Sequence, residues 1–181
     1  MKIIGIPGSL RRASINRKLL HVMSGLAPAG VTIEVHDLLD VPPFNEDVEA
    51  EGAPPAVQVL RDAIAVAQGL LIVTPEYNSG VPGVLKNGLD WLSRPPRRSV
   101  LDGKPVGIAG ASPGILGTAR AQPQLRQLFV FTNSPVMMQP EIYVTSAYQK
   151  FDEMGKLTDE RTREALIRYL AALKVWVERF S

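Results

Sequence analysis

The chain has 181 residues, of which 45% are hydrophobic and 21% charged, so its length suits one globular domain and its composition excludes disordered and fibrous classes. A net charge of +2 gives no argument for a nucleic-acid partner. The chain has no cysteine, which excludes a disulfide, an iron–sulfur cluster and a cysteine nucleophile, so redox chemistry would need a cofactor. With only two histidines, it is also poorly supplied for a metal site or a Ser-His-Asp triad.

Short runs rich in valine and isoleucine alternate with amphipathic segments along the chain. The runs predict five buried strands at residues 2–6, 31–36, 70–74, 105–109 and about 136–144. The amphipathic segments predict a first helix from Ile15 with Ser14 as its N-cap, and further helices at residues 56–67, 82–93, 117–131 and after Asp159.

This alternation predicts an α/β fold, a doubly wound sheet of five parallel strands with helices on both faces, in a single domain spanning residues 1–181. Ligands of such sheets bind beyond the carboxyl ends of the strands, near the point where the strand order reverses. The loops after the first, third and fourth strands are therefore the candidate site. Residues 41–55 are predicted to be a solvated connection, and residues 93–104 an excursion rich in proline and arginine.

The loop after the first strand has the residues that a phosphate dianion needs. Five basic residues and no acid precede Glu34, and small hydroxyl residues lie before a predicted helix N-terminus. The loop lacks both the P-loop and the dinucleotide G-x-G-x-x-G fingerprints, so a monophosphate held by Ser9, Arg11, Ser14 and Asn16 fits better. The alternative is a polar turn in which Ser14 only caps its helix.

The other two loops suit a flat heteroaromatic ring. Residues 78–80, between Pro75 and Pro82, permit unusual backbone angles, so successive N–H groups could address a ring edge, and Glu76 could accept an N–H from the ring. In the third loop, glycines permit a close approach and Ser112 can donate a hydrogen bond. Each of these loops alone could be merely structural, but a phosphate site beside two ring sites has the shape of FMN.

Three segments in this order resemble the NAD(P)H-dependent FMN reductase family. They are Gly8-Ser9-Leu10-Arg11-x-x-Ser14-x-Asn16, Pro75-Glu76-Tyr77-Asn78-Ser79-Gly80-x-Pro82-Gly83-x-Leu85-Lys86-Asn87-x-x-Asp90-Trp91, and Gly110-x-Ser112-Pro113-Gly114-x-x-Gly117. The resemblance implies a flavodoxin-like fold, bound FMN, and NADPH or NADH as co-substrate. It also implies that the cofactor-binding residues are Ser9, Leu10, Arg11, Ser14, Asn16, Pro75, Glu76, Tyr77, Asn78, Ser79, Ser112 and Gly114.

The same family includes bacterial quinone, azo-dye and chromate reductases, so the resemblance implies small-molecule electron acceptors and a ping-pong mechanism. The flavin then carries the chemistry, with no catalytic side chain and no metal. We expect the acceptor to stack on the flavin in a site shared between subunits, with Tyr77 or residues 94–98 at its edge. A non-enzymatic electron carrier or a regulatory flavoprotein is the alternative. No nucleic acid or membrane partner is expected, and the absence of a long apolar segment predicts a cytoplasmic protein.

Members of the family are dimers or tetramers. The helix that begins near Pro82 resembles their dimer-forming element through Lys86, Asn87, Asp90 and Trp91. The alternative is that Trp91 packs in the core and that Lys86 and Asp90 form an i, i+4 pair within the helix.

Overall fold

The computed structural model describes residues 1–180, and at its centre lies a sheet of five parallel strands in the order β2-β1-β3-β4-β5. The strands are β1 (Lys2–Pro7), β2 (Thr32–Val35), β3 (Gly69–Val73), β4 (Val106–Ala111) and β5 (Ile142–Val144). The strand order reverses between β1 and β3, which places the loops after these strands and after β4 along one edge. The predicted fold class is confirmed.

Strand β5 is much shorter than the predicted segment 136–144. Val136 forms only an isolated bridge with Val106, and the chain then leaves the sheet until Ile142. Pro140 lies within this interval and has no backbone N–H, so it can donate no ladder hydrogen bond. The predicted segment therefore contains one isolated bridge and one three-residue strand.

Six α-helices flank the sheet in the described part of the chain. They are α1 (Ile15–Gly25), α2 (Glu46–Glu51), α3 (Pro55–Ala65), α4 (Gly83–Leu92), α5 (Ala121–Leu128) and α6 (Glu160–Glu178). Ser14 accepts a hydrogen bond from the backbone N–H of Arg17, as its predicted N-cap role requires. None of these helices is long and apolar enough to cross a membrane.

Two helix predictions were wrong in detail. Helix α5 is shorter than the predicted 117–131, because Gly117 has a φ of +61°, which interrupts a right-handed helix. Helix α2 lies in the segment predicted to be a solvated connection. Its N-cap Asn45 accepts the backbone N–H of Asp47, and acidic residues fill its first turn, where the helix dipole favours them.

Two apolar layers cover the sheet, one on each face. Helices α1 and α6 pack on one face, and α3, α4 and α5 pack on the other. Tyr169 of α6 is fully buried, which raises the pKa of its phenol, and it donates a hydrogen bond to the backbone oxygen of Ile108. Because the strands are covered on both faces, a ligand reaches the sheet only at the ends of its strands.

The loops at the carboxyl edge meet around Gly110 of β4. A Cβ atom at this position would lie 2.3 Å from the Thr118 hydroxyl oxygen and 2.4 Å from the backbone oxygen of Thr74. These two threonines follow β4 and β3 respectively, and both are fully buried. The segments that follow β3 and β4 therefore pack so closely against Gly110 that no side chain fits at this position.

We expect Gly110→Ala to lower the free energy of unfolding by at least about 2 kcal/mol, because a backbone oxygen must move to make room for the new methyl group. Urea unfolding of the variant measures this loss. The matched control is Gly25→Ala at the end of α1, where a Cβ atom meets nothing within 4 Å. Its stability should stay the same or rise by up to about 1 kcal/mol. Equal stability of the two variants would contradict the crowding around Gly110.

Candidate functional site

A cleft opens at the carboxyl edge of the sheet, between the loops after β1, β3, β4 and β5. Its lining residues are Ser9, Arg11, Ser14, Ile15, Asn16, Pro75, Glu76, Tyr77, Ala111, Ser112, Pro113 and Tyr148. Eight of these were predicted from the sequence as cofactor-binding residues. The other predicted residues, Leu10, Asn78, Ser79 and Gly114, lie on the same loops outside the lining.

The loop after β1 presents unpaired backbone N–H groups at the start of α1. Within residues 1–180, the N–H groups of Ala13, Ile15 and Asn16 have no hydrogen-bond acceptor. The first turn of α1 contains no acidic residue, and the Arg11 side chain lines the adjacent cleft. Orphan amides, the positive end of a helix and a guanidinium together form a site for an anion.

The side chain of Asn16 is bonded to the protein itself. Asn16 is 1% exposed, and its amide pairs on both sides with the backbone of Ala111 at the end of β4. Asn16 Nδ2 donates to the Ala111 oxygen at 2.9 Å, and Asn16 Oδ1 accepts the Ala111 N–H at 2.8 Å. The side chain therefore joins α1 to β4, and the backbone N–H of Asn16 is the group that remains for the predicted phosphate.

The loop after β3 contains a tight hairpin turn. Tyr77 and Gly80 exchange two backbone hydrogen bonds of 3.0 and 2.9 Å, and the two residues between them, Asn78 and Ser79, have φ angles of +50° and +62°. Two consecutive positive φ angles are typical of a type I′ turn. The unusual backbone angles predicted for this segment are confirmed, and the turn points Asn78 and Ser79 into solvent.

The Glu76 side chain bonds to the protein itself. Its Oε2 atom accepts the backbone N–H groups of Arg120 at 2.8 Å and of Ala121 at 3.0 Å, at the start of α5. The side chain of Arg120 in turn donates to the Ser79 hydroxyl at 3.0 Å. The sequence predicts that this carboxylate accepts an N–H from a ring. In the structure, one of its two oxygens accepts two backbone N–H groups of the protein.

Further contacts connect the loops across the cleft. The Tyr77 and Ser9 hydroxyls lie 3.2 Å apart, which joins the hairpin to the loop after β1. The bonds between Asn16 and Ala111 join the same loop to the end of β4, where the third loop begins. The three loops are therefore connected, and a bond from the Gly114 N–H to Ser112 Oγ, of 3.1 Å, lies within the third loop.

Tyr148 lines the cleft but was missed by the sequence analysis. It lies on a short 3₁₀-helix (Ala147–Gln149) after β5, and 60% of its side chain is exposed. Backbone hydrogen bonds from Ser146 to Gly114 (3.1 Å) and from Ala147 to Ser112 (3.0 Å) hold it beside the third loop. The sequence does contain a signal for it, because the predicted fifth strand ends at the same edge of the sheet as the other strands.

The α4 residues predicted to form a dimer contact have partners within the chain. Asn87 Nδ2 and Trp91 Nε1 donate to the backbone oxygen of Pro42 at 2.8 and 2.9 Å, and Trp91 is fully buried. Lys86 and Asp90 form an exposed i, i+4 ion pair of 2.6 Å. The structure thus favours the alternative reading of Trp91, Lys86 and Asp90.

Arg94 lies outside the cleft lining of the single chain, so the edge role of residues 94–98 stays a prediction. Its guanidinium donates to Glu49 at 2.8 Å and lies 5.8 Å from the centre of the Phe44 ring. The predicted connection at residues 41–55 and the predicted excursion at residues 93–104 therefore contact each other. No cluster of three or more histidine, aspartate or glutamate side chains suited to a metal ion is found in residues 1–180.

Comparison with known proteins gives consistent matches over nearly the whole chain. The family described as NADPH-dependent FMN reductase matches residues 1–149. The chain is 48% identical over 179 residues to an NAD(P)H-dependent FMN reductase of Pseudomonas aeruginosa, covering 99% of this chain and 96% of the relative. It is 41% identical over 177 residues to a 2-hydroxy-1,4-benzoquinone reductase of a Burkholderia species, covering 98% and 96%.

A solved structure is also similar over nearly the whole chain. The flavoenzyme NAD(P)H:(acceptor) oxidoreductase from Paracoccus denitrificans superposes with a TM-score of 0.90 at 34% identity, covering 99% of this chain and 98% of that one. The fold therefore agrees, over nearly the whole of both chains, with that of this flavoenzyme.

We expect Asn16→Ala to lower the free energy of unfolding by about 2 to 4 kcal/mol, because it leaves the buried N–H and C=O of Ala111 without partners. Chemical denaturation measures the change. Asn87→Ala is the matched comparison, since Asn87 joins the backbone groups of Pro42 and Phe44 in the same manner at 2.8 and 2.7 Å. A loss below about 0.5 kcal/mol for Asn16→Ala would mean that the clamp contributes little.

Proposed function

This chain belongs to the NADPH-dependent FMN reductase family, and we propose that, with FMN in the cleft, it transfers two electrons from NADPH or NADH to quinones. The observation that carries the proposal is the open N-terminus of α1 facing the hairpin loop across one cleft. Two similar proteins, of a Burkholderia species and of Escherichia coli, are named as quinone reductases, the second at 38% identity over 182 residues. Azo compounds, chromate and free flavin are further proposed acceptors.

The cleft fits the phosphate of FMN. Unpaired N–H groups at the start of α1 and the Arg11 guanidinium supply donors, and Ser9 and Ser14 supply buried hydroxyl groups. Micromolar binding requires about −8 kcal/mol, whereas one charge-assisted hydrogen bond contributes about 1.5 to 3 and a helix N-terminus up to about 2. Several of these donors must act together, and all of them lie in the loop after β1 or at the start of α1.

The remaining loops fit a flat ring. We propose that the hairpin turn presents the uncommitted N–H groups of Asn78 and Ser79 to the ring edge, and that Pro75 and Tyr77 line it. Ser112 and Gly114 close the other side, with Tyr148 as an additional wall. Leu10 flanks the phosphate loop.

FMN, when bound, supplies the redox chemistry by accepting and donating hydride at its N5 atom. The protein then has to bind, orient and exclude water rather than supply an acid and a base. The cleft lining agrees with this binding role, because it contains no histidine or lysine. Its one carboxylate, Glu76, accepts hydrogen bonds from the start of α5.

Self-association as a dimer or tetramer is part of the proposal, but with different contacts from those first predicted. Asn87 and Trp91 are occupied within the chain, so only the Lys86 and Asp90 side of α4 remains available. Phe131, which is 67% exposed, lies beside these two residues in one groove and adds apolar surface. The predicted cytoplasmic location stays a prediction.

We expect Arg11→Ala to weaken FMN binding by about 10- to 100-fold, because it removes a charge-assisted contact worth about 1.5 to 3 kcal/mol. Quenching of flavin fluorescence on titration with the FMN-free protein measures the dissociation constant. Arg12→Ala is the matched control, since this neighbouring arginine has the same charge and lies outside the cleft lining.

The control variant should bind FMN within about threefold of the wild type, with the small difference expected from long-range charge alone. Equal weakening in both variants would show that net charge, rather than the Arg11 contact, sets the affinity. Unchanged binding in Arg11→Ala would remove Arg11 from the phosphate site.

For the reaction, we expect parallel lines in double-reciprocal plots of rate against NADPH at several benzoquinone concentrations. The reason is that the proposal has one ring in one cleft, lined by Tyr77 and Tyr148, so that both substrates must occupy the same place in turn. Intersecting lines would require both substrates to bind together, and would contradict a shared site.

A further inference from the structure

Two helices begin at the edge of the sheet where the cleft lies, and they differ in whether their first N–H groups have hydrogen-bond acceptors. Helix α1 has unpaired N–H groups at Ile15 and Asn16. Helix α5 has no side-chain cap from its own N-cap position, Arg120, but its first N–H groups are bonded to Glu76. The cap of α5 thus comes from a residue 44 positions earlier in the chain.

The contacts around Glu76 form a latch between the hairpin loop and α5. Besides the two bonds to Glu76, Arg120 Nη1 donates to the Ser79 hydroxyl at 3.0 Å, and Gln124 Oε1 accepts the backbone N–H of Val81 at 3.3 Å. The latch therefore holds the hairpin at three points, on both sides of the turn. Asn78, at the tip, is the residue left free to face a ligand.

The charge of Glu76 suits this place. The start of a helix carries a partial positive charge, and a carboxylate there is favourable. A single oxygen, Oε2, accepts both N–H groups, so the geometry of the latch needs one acceptor atom and not the whole carboxylate.

We propose that Glu76 is a positioning residue, which fixes the hairpin loop against α5 before FMN arrives, rather than a ligand of the flavin ring. This inference rests on the proposed function, because it concerns the loop assigned to the ring. A loop already held in its bound shape loses less conformational freedom on binding, so the latch increases affinity without touching the ligand.

The first test compares two helix N-termini in the FMN-free, full-length wild type by NMR hydrogen exchange. The amides of Arg120 and Ala121 should exchange at least about tenfold more slowly than those of Ile15 and Asn16, because only the former pair is bonded. Addition of FMN should then protect Ile15 and Asn16. Fast exchange at Arg120 and Ala121 before FMN is added would overturn the proposal.

The second test compares Glu76→Gln with Glu76→Ala by fluorescence titration with FMN. Glutamine keeps one acceptor oxygen, so Glu76→Gln should bind FMN within about threefold of the wild type, whereas Glu76→Ala should lose at least about tenfold, as expected for a lost cap. In Glu76→Ala, the amides of residues 77–82 should also exchange faster. Asn45→Ala, which removes the N-cap of α2 outside the cleft lining, controls for a general loss of stability and should leave FMN binding unchanged.

The outcomes separate this proposal from the proposed function. If the wild type binds no FMN, the proposed function fails, while the exchange comparison of the FMN-free protein still tests the latch. If the wild type binds FMN and Glu76→Gln is weakened as much as Glu76→Ala, the carboxylate itself is required, and the positioning role is wrong. Unchanged binding in Glu76→Ala would also overturn it.

Discussion

The site depends on a simple constraint: the first N–H groups of a helix need acceptors from outside the helix. At the carboxyl edge of this sheet, the protein meets that need in two ways. Helix α5 receives Glu76 from a neighbouring loop, which closes its N-terminus. Helix α1 receives only the Ser14 hydroxyl and keeps further N–H groups unpaired beside Arg11. One N-terminus therefore holds the hairpin loop beside the cleft, and the other keeps N–H groups unpaired for the anionic ligand that we propose.

The loops of the cleft are joined to the strand ends and to each other by close contacts. Gly110 has no side chain, which allows the segments after β3 and β4 to pack directly against it. Asn16 joins the start of α1 to Ala111. The hydroxyl contact between Ser9 and Tyr77 then links the two sides. A flat, charged cofactor fits a site of this kind because few of its walls must become ordered on binding.

Much of this could be predicted from local pattern. The apolar runs, the Ser14 cap and the strained hairpin at residues 78–79 all depend on neighbours in the sequence. The partners of Asn16 and Glu76 lie 95 and 44 residues away, and no local pattern distinguishes an amide or carboxylate that binds a ligand from one that binds the backbone. Tyr148 is a different case, because β5 ends at the same edge as the other strands and the loop after it could have been predicted to line the cleft.

The long reach of the Asn16 clamp has a consequence for how the protein matures. Asn16 and Ala111 are 95 residues apart, and the clamp needs the last residue of β4. During synthesis the segments that form β1, α1, β2 and β3 all precede Ala111, so Asn16 can meet its partner only after these segments have been made. The bond that fixes the start of α1 to the sheet is therefore a contact of high sequence separation, whose formation requires a long loop to close.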